Sequence, residues 1–256
     1  MSDSSTIDAG ELDNNDYLDE DLTATVNIGT VTSGKKYPKG TKIETILRDI
    51  LIKEEPPSVT INLNPSATLY DVVNDTVSEV VITGVVVKKT YNPTLITFYV
   101  NNTVVHEKAI SDGGNVSYSY KPATPTNQDM IIKVVVSDGK LQGTATKNIK
   151  FVGKSYYGVI DASVGTPSEA QVKALANNTL KDVKGLTYSH ITIDYGKVVY
   201  AYPQSFGALT SIKDTINNIN YNDSFSRTAF KVDGIDYYVY TQTDPSASDD
   251  VQIVFA

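Results

Sequence analysis

The chain of 256 residues contains no cysteine and no tryptophan, and only two histidines and two methionines. Without cysteine there are no disulfides, no thiolate metal ligands and no thiol nucleophile. Two histidines without metal-ligand spacing do not build a conventional zinc site. Long hydrophobic runs are missing too. No segment approaches the ~18 apolar residues of a membrane-spanning helix, and the opening "MSDSSTIDAGELDNNDYLDEDL" has neither the basic nor the apolar region of an export signal. The expectation is a soluble chain without a classical export signal or membrane partner. A basic excess is also lacking. The net charge is −8, with eight acids and no base in residues 1–22, so the rest of the chain is electrically balanced. Binding a polyanion requires Lys and Arg to displace condensed counterions, so nucleic acid is not an expected partner.

What is present is core material: 40% hydrophobic residues, with seventeen tyrosines. That is ample for a folded chain of several domains. The texture divides it into four parts. Residues 1–24 form an acidic leader, read either as a flexible solvated segment or as a docking peptide that orders on a partner. Residues 25–57 form a small strand-helix docking unit, with a strand at 25–28 and then a helix. Thr41 is its expected N-cap, Glu44 closes a capping box, and Pro56 and Pro57 terminate it. Ile43, Ile46, Leu47, Ile50 and Leu51 fall on one stripe at helical spacing. So small a unit is not expected to bury that stripe alone, which makes it a candidate docking or oligomer face.

Residues 58–153 read as all-β. Six runs rich in Val, Ile, Thr and Tyr, from "SVTINLN" to "ATKNIKFVG", are separated by Asn, Gly, Pro and Asp turn signals. About 95 residues of such strands fit an antiparallel sandwich, with a hairpin turning at Asn101 and Asn102, residue types that tolerate positive φ. Residues 154–256 read as a C-terminal mainly-β domain with one or two short helices. A helix capped by Ser168 or Thr166 buries Val172, Leu175 and Ala176, a hairpin turns at Asp233-Gly234, and a last strand ends in "IVFA".

The stretch "YAYPQSFG" admits two readings. A serine after a strand, close to glycine, could be a nucleophile elbow. That motif requires Gly-x-Ser-x-Gly followed later by an acid and a histidine, whereas Pro203 stands two before Ser205 and no histidine follows. His106 and His190 read as ordinary strand residues. The alternative is a structural corner. Tyr200 and Tyr202 alternate on a strand, Pro203 ends the ladder, Phe206 and Leu209 tuck beneath, and Gly207 supplies a conformation other residues resist. These residues serve either packing alone or a tyrosine-lined ligand contact. Phosphate-cradling glycine motifs are absent, a glycosidase pair is not evident, and "DPSASDD" lacks the ligand alternation of an EF-hand, reading as a solvated turn. Four Asn-x-Ser/Thr matches, at Asn101, Asn115, Asn177 and Asn222, are the chance yield of an Asn- and Thr-rich chain. No enzyme activity, metal or cofactor is expected.

Two families carry resemblances. "ITFYVNNTVV" and "KVVVSDGK" resemble bacterial and phage immunoglobulin-like modules, although the Cys pair and buried Trp of antibody domains are missing. In the last region "YYG", "YAYPQSFGALTSIKD", "YYVY" and a terminal aromatic strand stand in order at residues 156–158, 200–214, 237–240 and Phe255. They resemble the C-terminal domain of virion appendage proteins of tailed bacteriophages. "GKKYPKGTKIETILRDIL" is similar to units near the start of phage head-fibre and tail-associated proteins. The resemblance implies a non-enzymatic virion structural protein, assembled in the bacterial cytoplasm. It would be a head fibre or capsid decoration, docked through its N-terminal unit on other virion proteins and forming a homo-oligomer such as a trimer. The alternative is a tail or baseplate protein that binds a host receptor or surface glycan. A depolymerase ranks behind both.

Overall fold

The computed structural model describes residues 17–18, 20–25, 31–51 and 54–256. The chain is mainly β, as its alternating Val, Ile, Thr and Tyr dictate.

The N-terminal unit pairs β1 (Leu22–Thr23) with β2 (Lys36–Tyr37) and adds α1 (Ile43–Leu51). The start of this unit lies within the residues read as leader. Tyr17 bridges Lys42, Leu18 exchanges backbone bonds with Gly40 and Thr41, and Asp21 accepts from the Lys39 amide at 2.8 Å. Tyr17, Leu18 and Asp21, all within the expected leader, are thus tied down by hydrogen bonding, which charge composition does not register. The strand expected at 25–28 falls largely outside the described residues. The expected cap is also corrected. Thr41 donates its hydroxyl to the Pro38 carbonyl at 2.7 Å, and Glu44 pairs with Arg48 one turn on at 2.8 Å. The Pro38 turn captures the threonine before the helix begins.

Residues 58–153 form a two-sheet sandwich. Its small sheet runs through β3 (Ser58–Asn64), β5 (Val80–Val87) and β8 (Gly114–Tyr120). The other contains β4 (Leu69–Asp71), β10 (Gln142–Val152), β9 (Met130–Ser137), β6 (Leu95–Val100) and β7 (Thr103–Ala109) in that order. All pairs are antiparallel except β4 with β10, an immunoglobulin-type arrangement. Every one of the six expected runs is present. Asn101 and Asn102 turn the β6-β7 hairpin at φ 49° and 64°. The sequence reading did not include β4, whose three residues carry too short a pattern. In place of a disulfide and tryptophan, Ile82, Phe98 and Val134 are fully buried between the sheets, each contributing about 1.5–3 kcal/mol on burial.

The C-terminal domain is organised by one 18-residue strand, β13 (Leu186–Pro203), longer than its sequence pattern indicated. Its second half lies between β11 (Lys154–Asp161) and β17 (Ile235–Gln242), with β12 (Asn177–Leu180) and β16 (Phe225–Val232) outside them. Its first half pairs with β18 (Ser246–Phe255), followed by β14 (Ile212–Asp214) and β15 (Ile219–Asn220). Register shifts run along the half paired with β18, from Tyr188 to Gly196, and Tyr195 at φ 45° stands near its end, where bulges bend a strand. One core, with Tyr200, Tyr202, Ile253 and Phe255, joins residues of both halves. A second, with Val199, Ala201 and Val239, is covered by α2 (Glu169–Lys173). Residues 198–202 are therefore buried on both faces.

Of the two expected caps, Ser168 and Thr166, the structure places Ser168 at the start of α2, in a full capping box with Gln171 that the sequence reading did not include. Val172 and Leu175 are buried, but Ala176 is exposed because the helix stops at Lys173. Asp233 and Gly234 turn the β16-β17 hairpin at φ 49° and 81°. The "DPSASDD" turn shrinks, since β18 already begins at Ser246.

Candidate functional site

Three places concern function: the α1 face, the corner after β13 and the joint between the two β domains.

The α1 stripe divides. Ile46 is 7% exposed and packs with Val31 and Tyr37, with Ile50 against them, so the unit closes a miniature core of its own. Ile43 is half-buried. Leu47 and Leu51 are 41% and 76% exposed. The expected bare stripe is thus narrowed to two leucines. On the covered side, Asp49 receives Lys35 Nζ at 2.6 Å and the Tyr37 hydroxyl at 3.0 Å. The lysine hydrogen bond holds the Asp49 carboxyl below the usual carboxylate range.

At the corner the tyrosines point inward and are fully committed. Tyr200 donates its hydroxyl to the Lys184 carbonyl at 2.6 Å, Tyr202 to Gly207 at 2.8 Å, and Tyr237 to Lys154 at 2.7 Å. Tyr240 accepts from the Leu209 amide at 2.9 Å, and its ring stacks on Tyr202 with centroids 6.1 Å apart. Burial pushes the Tyr200 hydroxyl up to about 12 and also raises those of Tyr202 and Tyr237, so all three are neutral donors at working pH. Pro203 ends β13 in a buried position, and a single 3-10 turn, Gln204–Phe206, follows. Gly207 closes it at φ 80°, its amide bonded to the Gln204 carbonyl. Phe206 and Leu209 pack under the turn as expected. The tyrosines do not line an open contact surface.

The outward side of the corner is different. Pro203, Ser205 and Phe206 form one wall of a cleft of about 380 Å³ whose opposite wall comes from the sandwich, including Asp129, Lys150 and Phe151. Two reciprocal ion pairs clamp this joint. Lys150 of β10 reaches Asp182 beyond β12 at 2.7 Å, and Lys154 of β11 reaches Asp71 of β4 at 3.1 Å. The Lys150 hydrogen bond lowers Asp182. Asp71, only 4% exposed, is pulled upward by burial, but hydrogen bonds from Asn74, the Val73 amide and Lys154 outweigh this and leave it low. The sequence contains no spacing signal for this cleft, because its walls come from segments far apart in the chain and meet only when the domains dock.

The histidine at position 106 stacks its ring on Tyr118, centroids 4.6 Å apart, so it is a packing residue. The His190 side chain lies outside the described residues. Among the described residues, no group of three His, Cys, Asp or Glu side chains is placed to hold a metal ion, and no helix is long and apolar enough to cross a membrane. Comparison with known protein families, with curated proteins and with solved structures finds no match.

Proposed function

We propose that the chain is a non-enzymatic structural protein of a bacteriophage particle, a head fibre or capsid decoration. The strand-helix unit docks it and the two β domains project outward. One observation carries this reading: Leu47 and Leu51 stand exposed side by side on a unit that otherwise closes its own core. Large apolar side chains in that setting gain about 1.5–3 kcal/mol each when a partner covers them. The resemblance of the "YAYPQSFG" region and of the helical unit to virion appendage proteins supplies the context, with other virion proteins or further copies of the chain as the cover. The clamped joint suits a projecting arm, because it holds the two β domains as one lever.

A second reading, a tail or baseplate protein that binds a host-surface glycan, is favoured by the cleft at the joint. Immunogold labelling of intact particles with antibody raised against residues 58–256 separates the two. Label on the capsid supports the first reading and label confined to the tail supports the second. Particles that carry no label overturn both.

A further inference from the structure

Aspartate is followed by glycine three times in the chain, at residues 112–113, 138–139 and 233–234. Such a pair is open to an internal reaction, because glycine has no side chain to keep its backbone nitrogen away from the preceding carboxyl. The fold treats the three pairs differently.

Asp138 is 8% exposed, and its Oδ1 accepts the Lys140 and Leu141 amides at 2.8 and 2.7 Å. The Gly139 amide donates instead to the Ser137 hydroxyl at 3.0 Å. Carboxyl and nitrogen are thus held by different partners. Asp233 gives Oδ1 to Lys173 of α2 and donates its amide to Glu169 at 2.7 Å, so the β16-β17 turn is pinned to the helix and its carboxyl is engaged away from Gly234. Asp112 and Gly113, in the connection from β7 to β8, are both exposed. Here the Gly113 amide donates to Oδ1 of Asp112 itself at 2.8 Å. Packing explains the glycine, since a Cβ at 113 would stand 2.9 Å from the Val86 carbonyl oxygen. It does not explain why the Asp112 carboxyl lies against the following nitrogen.

We infer that Asp112 is a site of spontaneous covalent modification, isomerisation to isoaspartate. The Gly113 nitrogen attacks Cγ of Asp112 in its COOH form. The N–Cγ bond forms as the Cγ–OH bond breaks, and the hydroxyl leaves with the amide proton as one water. A five-membered succinimide results. Water then adds back to one of the two ring carbonyls. Opening of the new N–Cγ bond restores aspartate, whereas opening of the original peptide bond leaves Gly113 joined through Cγ and releases the α-carboxylate. One water departs and one returns, nothing is oxidised or reduced, and solvent is the only co-reactant. Charge is conserved, so the change is one of backbone length. One extra main-chain carbon enters just before Gly114, whose pairing with Val86 is the first rung between β8 and β5. Holding nitrogen and carboxyl together is what favours this pair over the other two, because the reacting groups no longer have to find each other. The inference does not depend on where the protein sits in a particle.

The test is to age the full chain in warm, mildly acidic buffer, digest it, and map isoaspartate by electron-transfer mass spectrometry against an unaged control. A parallel sample is aged in urea. In the folded chain isoaspartate should accumulate at residue 112 at least about tenfold faster than at 138 or 233. In urea the three rates should converge, since the same dipeptide then reacts without its fold. Asp112→Glu keeps the charge at an exposed position but would need a six-membered ring, and it should give no product at this site. Equal rates at the three sites in the folded chain, or no isoaspartate at 112, would overturn the inference. So would a preference for 112 that persists unchanged in urea, which would assign it to the neighbouring sequence and not to the fold.

Discussion

The hydroxyl of Tyr202 spans the turn that follows its own strand and donates to the carbonyl of Gly207 at 2.8 Å, so a fully buried ring holds the exit of β13 closed. Tyr202→Phe keeps the ring and its stack on Tyr240 but leaves that carbonyl without its donor. The expected loss is about 0.5–1.5 kcal/mol, read as a lower urea midpoint at unchanged slope.

The same turn predicts opposite behaviour for two adjacent positions. Ser205→Ala should leave the melting temperature unchanged, since the side chain is exposed and no histidine follows it to activate a nucleophile. Gly207→Val should be destabilising by about 1–3 kcal/mol. The open space around a Cβ at Gly207 shows that the cost is backbone strain at φ 80° and not collision. Loss of a hydrolytic activity in Ser205→Ala at unchanged melting would contradict the structural role of the corner.

Gly143 on β10 lies directly under the chain that enters the sandwich. A Cβ there would stand 1.8 Å from the Pro57 carbonyl oxygen. Gly143→Ala must displace either the strand or the entering segment, at a cost of about 1–3 kcal/mol. Calorimetry should show a lowered sandwich transition, while Gly165→Ala, with open space around it, serves as a control that melts normally.

Acid should unlock the joint between the β domains. Asp71 and Asp182 both titrate below their ordinary value in the folded chain. Their stabilisation is therefore complete above ~4, the ordinary carboxylate pKa, and is lost as pH falls through the lowered folded values. Their partners Lys150 and Lys154 are raised, so on the alkaline side the pairs persist until pH passes the ordinary lysine range. Small-angle scattering should give a constant radius of gyration from pH 6 to 8 and a larger one near pH 2, a window set by those shifts. An unchanged radius at that acid limit would show that apolar contact alone holds the joint.

Attachment should depend on the two uncovered leucines. Leu47→Lys with Leu51→Lys places charge where the side chains already meet water, so melting should hold steady. Incorporation into particles, or self-association by analytical ultracentrifugation, should fall by at least about tenfold, matching the burial energy removed. Full incorporation of the double variant would place attachment elsewhere.

Local rules made part of this architecture legible. Asn101-Asn102 and Asp233-Gly234 announce hairpins because few other residues accept positive φ, and a capping residue at Ser168 or Thr166 ahead of Val172 and Leu175 announces α2 because cap and apolar face lie within two turns. The same rules failed at Thr41, where the Pro38 carbonyl competes for the hydroxyl. They failed again at β4, whose ladder partner is the distant β10, and at "DPSASDD", where pairing with β13 overrides turn propensity.

Composition and short-range pattern determined that this chain folds as β domains behind an acidic, helical N-terminal unit, since alternation, turn residues and caps act over a few residues. Only tertiary structure decided that the tyrosines of "YAYPQSFG" face inward, that Ile46 is covered while Leu51 is not, and that Ser205 meets Asp129 across a cleft. Those outcomes depend on which strand bends, which domain docks and which face water reaches. They are set by contacts between segments far apart in sequence, and no local period encodes such contacts.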